Sequence, residues 1–278
     1  MIFINTMSCP DIFIYFFCEI IYNINKFVRW GNKMKLDHFV INVDKNYQAD
    51  ETIINYIRSK GFPYEPKWGK GTAGFKVSNL WIGNEYFEMV HIMKPDGGGW
   101  VEEWTRKYNQ GHRGVICLML DVGKIDEIHD SLNRKGIDVT QPEWLEFKWF
   151  FNLLTRRMPW RNCYAPFFEG VPMQIGFQEM KDEKSRDYMN QYMVPNSKDN
   201  GIMGISRVVV KGQFTENDLA MISTIFGELA HKNESTIKVV LPSTQIIEFV
   251  SDTYYQTEIY TDSSRGDFIE IENVCVNC

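Results

Sequence analysis

The chain lacks the short motifs that mark several large enzyme families. Its 278 residues contain no nucleophile elbow, no dinucleotide-binding fingerprint and no zinc-finger pattern. The glycine-containing stretch Gly69–Thr72 is not a phosphate loop, because it lacks the required spacing and is not followed by a helix. The sequence therefore does not indicate any of these motif-based sites. Any activity has to come from residues that the fold brings together.

Cysteine is scarce and irregularly spaced. The six cysteines form no disulfide framework, and Cys117 lies inside an apolar stretch that is typical of a strand. Cys275 and Cys278 form a C-x-x-C at the end of the sequence, but no helix start or second ligand pair accompanies them. This usage fits a reducing compartment, and we expect a cytoplasmic protein.

Long apolar runs and excess positive charge are also missing. The net charge of -6 argues against charge-driven binding of nucleic acid. The apolar run Ile12–Tyr22 is too short to span a bilayer and lacks the flanks of a signal peptide. Because the regular pattern begins at Met34, we expect residues 1–33 to be a leader outside the fold. A weak membrane-surface anchor is the competing interpretation.

What the sequence does contain is a repeated unit of one strand, one helix and several strands. The first copy occupies residues 34–95, and its helix is followed by Gly61 as a C′ residue. Its predicted elements are a strand at Leu36–Val43, a helix at Gln48–Lys60, and strands at Gly74–Leu80 and Asn84–Met93.

A connecting helix and a second copy follow at residues 96–180. Lys135 and Gly136 end its helix as Lys60 and Gly61 end the first. Its predicted elements are helices at Trp100–Gln110 and Lys124–Lys135, and strands at Val115–Leu120, Phe147–Thr155, Arg161–Pro166 and Val171–Gln178. A duplicated α+β module is the simplest account of the two copies.

The remaining sequence predicts a polar linker and a fainter third copy. Residues 181–200 are rich in Lys, Asp, Glu, Ser and Asn, and we interpret them as the linker. In residues 201–278 the stretch Thr215–Asp218 resembles a capping box that precedes an apolar helix. Predicted strands lie at Ile205–Lys211, Ile237–Leu241, Gln245–Val250, Glu258–Thr261 and Asp267–Val274.

Three pieces of the first copy resemble one known family. They are Asp37-His38-Phe-Val at the first strand, Gly69-Lys-Gly-Thr72 in the middle, and Tyr86-Phe87-Glu88-Met-Val near the end. Their order and spacing are similar to the glyoxalase-like branch of the vicinal oxygen chelate superfamily, over roughly residues 35–180. The resemblance implies an α+β fold of tandem βαβββ modules that form an open, cleft-enclosing β-sheet, with a third βαβββ-like module at the C-terminus.

The same resemblance implies a divalent metal in the cleft. Metal-using members take ligands from the first and last strands of both modules. By position, these places fall on His38 and Glu88 in the first module, and on Val115 and Gln174 in the second. A neutral imidazole and a carboxylate suit Zn, Mn, Fe or Ni, whereas valine cannot bind a metal.

Two alternatives apply to the first-module pair. Without a metal, Glu88 would serve as a catalytic general base, with its pKa raised by a dry cleft. His38 would be an ordinary buried histidine if Asp37 or a backbone carbonyl satisfied it. His112 is the nearest candidate for a second histidine ligand, because His91 and Glu88 leave a strand on opposite faces.

A basic and aromatic stretch of the second copy is a candidate for substrate binding. Arginines beside large aromatic rings can hold an anionic group by bidentate hydrogen bonds and stacking. An exposed basic turn beside core aromatics is the commoner situation. The candidates are Trp149, Arg156, Arg157 and Arg161, together with Trp68 and Thr72 near the glycine-containing stretch.

Two functions follow as hypotheses. The first is an enzyme acting on a small oxygenated molecule, as a lyase, isomerase or dioxygenase of the vicinal oxygen chelate type. The second is a non-catalytic protein of the same fold that binds and sequesters a small molecule. The apolar Val115 favours the second, whereas His38 and Glu88 favour the first. Modules of this kind also pair between chains, so the resemblance allows a homodimer.

Overall fold

The chain folds into two open β-sheets with a small number of helices. The computed structural model describes residues 34–149, 154–263 and 265–278, with side chains omitted at 147–149 and 154–156. The leader predicted at residues 1–33 therefore lies outside the described residues. None of the helices in the described ranges combines the length and hydropathy of a membrane span.

The first sheet has eight strands in the order β2-β3-β4-β1-β5-β8-β7-β6. Its strands are β1 (Lys35–Asn42), β2 (Lys70–Gly71), β3 (Phe75–Ile82), β4 (Glu85–Ile92), β5 (Gly114–Asp121), β6 (Glu143–Trp149), β7 (Leu154–Tyr164) and β8 (Gln174–Met180). The helices around it are α1 (Asn46–Ala49), α2 (Glu51–Ser59), α3 (Glu102–Asn109), α4 (Ile125–Arg134) and α5 (Glu183–Asn190).

This strand order confirms the predicted tandem βαβββ modules. In the first module β4 returns parallel to β1, and in the second β8 returns parallel to β5. The two modules join through β1 and β5, which pair antiparallel. The first and last strands of the two modules therefore lie side by side at the centre of the sheet, in the order β4-β1-β5-β8.

The two faces of the first sheet carry different kinds of side chain. Apolar side chains of α2 and α4, among them Ile54, Ile57 and Ile128, pack with Phe39 and Phe87 in the main core. These helices cover one face because their buried residues recur at helical spacing. We call the opposite face, which carries Val40, Glu88 and Cys117, the cleft face.

Residues 181–200, predicted as a linker, contain a helix. Asp182 caps α5 by accepting a hydrogen bond from the backbone N–H of Ser185. A 3-10 turn at Ser197–Asn200 follows, and Gly83 between β3 and β4 donates its N–H to Asn196 Oδ1 and Ser197 Oγ. The segment therefore runs back along the first sheet before it enters the second.

The second sheet repeats the central arrangement of the first. Its order is β10-β11-β12-β9-β13-β15-β14. The elements are β9 (Ile205–Gly212), α6 (Glu216–Phe226), β10 (Ala230–Lys232), β11 (Thr236–Val240), β12 (Ile246–Ser251), β13 (Gln256–Thr261), β14 (Phe268–Ile271) and β15 (Val274–Asn277). The capping box predicted at Thr215–Asp218 is present at the start of α6. β9 to β12 form the expected βαβββ-like module, and β13 to β15 extend it beyond β9.

The two sheets share a buried polar junction. Glu85 at the start of β4 accepts hydrogen bonds of 3.0 Å from the backbone N–H of Ile205 and from Gln245 Nε2. Gln245 in turn accepts a hydrogen bond from the backbone N–H of Leu36. The first strands of both halves are therefore linked through one carboxyl group and one amide.

Candidate functional site

The register of the central strands assembles a row of side chains on the cleft face. Val40 pairs with Glu88 on one side and with Cys117 on the other, and Cys117 pairs with Gln174. His38 lies two residues before Val40 on β1. The structure thus brings three predicted residues, His38, Glu88 and Gln174, to the centre of one face.

His38 is held in a defined orientation. Its Nδ1 donates to Asp37 Oδ2 at 2.6 Å, and Gln178 Nε2 donates to the same oxygen at 3.0 Å. The Tyr86 ring stacks on the imidazole with centroids 4.5 Å apart. Because Asp37 occupies Nδ1, the other ring nitrogen, Nε2, is the one that is turned toward Glu88.

Glu88 lies opposite that nitrogen. Its Oε2 is 4.0 Å from His38 Nε2, and 25% of its side chain remains exposed. Burial raises the pKa of Glu88, the nearby His38 lowers it, and the charge of Asp37 raises it further. The distance exceeds a hydrogen bond, so both groups can contact a third atom between them.

The residues present do not form a full ligand set for a transition metal. A catalytic zinc site typically uses three protein ligands from His, Cys, Asp and Glu. No such group of three occurs among the residues that the structure describes. The remaining place, Val115, packs in the main core, and its carbonyl accepts a hydrogen bond from the Tyr255 hydroxyl. The predicted ligand places on the cleft face hold one imidazole, one carboxyl and the amide of Gln174.

A second histidine does not complete the set. His112 Nδ1 accepts from Asn42 Nδ2 at 3.1 Å, four residues along β1 from His38. Burial, with nearby Lys107 and Arg113, lowers the pKa of His112 to about 4. His112 is therefore a neutral, half-buried histidine at the other end of the strand.

Cys117 is a poor nucleophile despite its central place. The side chain is fully buried between Val40 and Gln174, and its sulfur lies 3.4 Å from Met119 Sδ. Burial raises the pKa of the thiol well above its usual value. Its role is to fill the floor of the cleft.

The arginines predicted to bind substrate point away from the cleft face. Arg161 forms ion pairs with Asp126 at the start of α4 and with Glu179. Arg157 pairs with Glu146, and 62% of its side chain is exposed. Since α4 covers the opposite face, these two guanidinium groups do not reach His38. The side chains of Trp149 and Arg156 lie outside the described residues.

The two candidates near the glycine-containing stretch lie at the edge of the sheet. Trp68 closes a 3-10 turn before β2 and is 65% exposed. Thr72 Oγ1 donates to the carbonyl of Gly98 and accepts from the N–H of Gly74. Thr72 thus holds a turn together, and neither residue joins the central row.

A cavity of about 170 Å³ opens beside Asp37 and beneath α5. Its wall contains Asp37 and Tyr86, which contact His38, but not Glu88 itself. The other lining residues are Lys35, Asn84, Trp160, Gln178, Met180, Arg186, Met189, Asn190 and Met193. Sequence reasoning missed the α5 residues because a polar composition indicated a linker. The Asp182 cap was the available helix signal.

Helix α3 closes the other end of the cleft face. Trp104 and Tyr108 pack there with Val40, Val90 and Met119 in a second apolar cluster. The Trp104 ring also contacts Tyr164 edge-on, with centroids 5.5 Å apart. The polar groups His38 and Glu88 therefore lie between an apolar plug and the cavity under α5.

Comparison with solved structures supports the fold. A hypothetical protein from Staphylococcus aureus matches with a TM-score of 0.64 at 12% identity, covering 87% of this chain and 97% of that chain. No family model and no curated protein matches the sequence.

Shorter matches include methylmalonyl-CoA epimerases. The Streptomyces coelicolor enzyme, in complex with 2-nitronate-propionyl-CoA, has a TM-score of 0.37 at 12% identity, covering 52% of this chain and 94% of that chain. The Mycobacterium tuberculosis enzyme has a TM-score of 0.35 at 12% identity, covering 54% and 91% respectively. Similarity at this level does not bear on function. What the comparisons show is that this chain has an α+β fold of curled, open sheets built from βαβββ modules.

Proposed function

We propose that the chain is an enzyme that moves a proton on a small oxygenated molecule bound at the cleft face. The observation that carries this proposal is the 4.0 Å gap between Glu88 Oε2 and His38 Nε2. An imidazole and a carboxyl group can both transfer protons, and neither is hydrogen-bonded to the other here. Asp37 serves as a positioning residue, because its bond to Nδ1 keeps Nε2 facing the gap.

The chemistry balances without a co-reactant. Glu88 takes a proton from a carbon next to a carbonyl group, and the electron pair moves to the carbonyl oxygen. His38 Nε2, which has no hydrogen while Nδ1 donates to Asp37, passes the proton of a neighbouring hydroxyl group to that oxygen, and Glu88 returns its proton to the former carbonyl carbon. The net result is isomerisation of a hydroxyketone. A raised pKa makes Glu88 a stronger base than an ordinary carboxylate.

No step in this scheme passes through a metal. The resemblance suggested a divalent metal held by His38, Glu88 and Gln174. These side chains provide two ionisable ligands and one neutral amide. Hydrogen exchange from carbon by the Glu88 and His38 pair does not require more than these side chains.

Proton exchange with solvent tests the proposal without a known substrate. The purified protein is incubated in D₂O with 2-oxo acids, hydroxyketones and acyl thioesters, and deuterium at carbon is followed by NMR. We expect exchange on at least one class and a loss of about 100-fold or more in Glu88→Gln. Glu143→Gln, an exposed carboxyl outside the cleft, is the matched control. Exchange that survives in Glu88→Gln, or its absence across all classes, contradicts the proposal.

Non-catalytic binding of a small molecule is the second candidate function. The observations that favour it are the apolar Val115 at a ligand place and a cavity that borders Asp37 rather than Glu88. A binder would show saturable affinity for its ligand, no exchange at carbon, and the same affinity in Glu88→Gln.

A further inference from the structure

The cavity beneath α5 has walls suited to an apolar body. Tyr86 and Trp160 contribute aromatic rings, and three methionines, at positions 180, 189 and 193, contribute flexible thioethers. Its volume of about 170 Å³ is well below that of pockets for drug-sized ligands, which measure about 300 to 1,000 Å³. The occupant is therefore a small molecule.

The positive side chains of the cavity wall already have a partner. Arg186 binds Asp121 with two hydrogen bonds, of 2.5 and 3.0 Å. Lys35 lies 3.4 Å from the same carboxylate, and 39% of its side chain is exposed. Its remaining charge is thus screened by water, which weakens its attraction for an anion.

Asp37 differs, because its only ion-pair partner among the described residues is His38. Its side chain is 11% exposed, and Oδ2 accepts from His38 and Gln178. Neither partner carries a permanent positive charge. The negative charge extends into the wall: after burial, Asp37 is the next cause that raises the pKa of Tyr86.

We infer that this cavity binds a small organic cation, an amine whose apolar body contacts the methionines and aromatic rings. The ammonium group would hydrogen-bond to Asp37 and face the Tyr86 or Trp160 ring, and a cation over an aromatic face is attracted by its quadrupole. An anion would meet the Asp37 carboxylate instead. The inference rests on the cavity and holds whether or not Glu88 and His38 move a proton.

Three probes of the same shape and different charge test the ligand class. Benzylamine, benzyl alcohol and benzoate are titrated into the full chain at pH 7.5 by calorimetry and NMR. We expect saturable binding of benzylamine, with a Kd at least tenfold below the values for benzyl alcohol and benzoate. Benzoate binding as tightly as benzylamine, or no saturable binding of benzylamine, overturns the inference.

Variants connect the binding to the residues of the wall. Asp37→Asn is expected to raise the benzylamine Kd tenfold or more and to leave benzyl alcohol within twofold. Asp187→Asn removes the same charge from an exposed position of α5 and should change nothing. An unchanged benzylamine Kd in Asp37→Asn overturns the inference.

Two further variants separate folding and catalysis from binding. If Asp37→Asn fails to fold, Trp160→Leu provides the test. We expect it to raise the benzylamine Kd fivefold or more, and an unchanged Kd would overturn the inference. Glu88→Gln should bind benzylamine within twofold of the unsubstituted chain. If Glu88→Gln loses exchange at carbon but still binds benzylamine, the result bears on the proposed proton transfer and leaves the proposed cation binding intact.

Discussion

Asp37 and His38 are consecutive in the chain, yet their side chains meet on one face of β1 through a hydrogen bond of 2.6 Å. Regular strand geometry would send neighbouring side chains to opposite faces. The register between β1 and β5 shifts between Leu36 and His38, and this bulge places Asp37 beside His38 on the cleft face. A local irregularity thus builds the centre of the candidate site.

Replacing Glu88 should stabilise the protein at neutral pH while it removes activity. The pKa of Glu88 is raised in the folded state, so stability from this group is present below its unfolded pKa and is lost as the pH rises through the folded pKa. Glu88→Gln removes that loss, so the variant should be more stable than the unsubstituted chain at pH 8 and equally stable near pH 4. Urea unfolding at both pH values measures this. A variant less stable at pH 8 would contradict it.

Glu85 should make the junction between the sheets sensitive to pH. Burial raises its pKa from 4.5 to about 7, although hydrogen bonds from Ile205 and Gln245 lower it. The stability due to Glu85 is complete below pH 4.5 and is lost as the pH rises through about 7. The loss amounts to at most about 3 kcal/mol.

Glu85→Gln is expected to flatten this dependence. The substituted amide has one acceptor oxygen and cannot accept from both Ile205 N–H and Gln245 Nε2. The variant should therefore be slightly less stable than the unsubstituted chain at pH 5 and more stable at pH 8. Chemical denaturation across pH 4 to 9 provides the profile. Parallel profiles for the two proteins would show that Glu85 does not titrate in this range.

Gly83 should tolerate no side chain. Its φ is +66°, and a Cβ would lie 1.8 Å from the carbonyl oxygen of Met203. Gly83→Ala is expected to cost more than about 2 kcal/mol, because backbone at the junction has to move. Gly136 has a φ of +84°, but a Cβ there would meet no atom within 4 Å, so Gly136→Ala is the matched control and should cost about 1 kcal/mol. Equal losses in thermal denaturation would contradict the packing argument.

Arg186 should hold α5 over the cavity. The helix buries none of its residues, and its bidentate pair with Asp121 is the strong contact. Arg186→Ala should destabilise the chain by about 1 to 3 kcal/mol, because Lys35 is then the one ion-pair partner left to Asp121 among the residues that the structure describes. Hydrogen exchange at residues 183–190 should quicken. Lys184→Ala, an exposed change on the same helix, should leave both measurements as they were.

Metal removal should leave carbon exchange unchanged. The predicted ligand places hold one imidazole, one carboxyl and one amide, which is a weak donor set for a resident transition metal. We expect substoichiometric metal by elemental analysis and the same exchange rate after treatment with a chelator. A stoichiometric metal that is lost in Glu88→Ala, together with activity, would assign His38 and Glu88 to a metal site instead.

Much of the fold was predictable because its local signals agree. The apolar spacing of Ile54 and Ile57 predicted α2, and the capping box at Thr215 predicted the start of α6. Residues 181–200 show the limit of this approach. Their polar composition indicated a linker, but the segment contains α5, which begins at the Asp182 cap and is tied to a distant strand by the Arg186–Asp121 ion pair.

By itself the sequence determined the modules, because hydrophobic periodicity and helix-ending glycines act within a few residues of the chain. It also supplied His38 and Glu88, which lie on strands of one module. Only the tertiary structure decided which side chains share a face. Arg161 turns toward Asp126, Asp37 is brought beside His38 by a bulge, and α5 covers the cavity. Strand register and sheet pairing set these relations, and they depend on contacts between residues far apart in sequence.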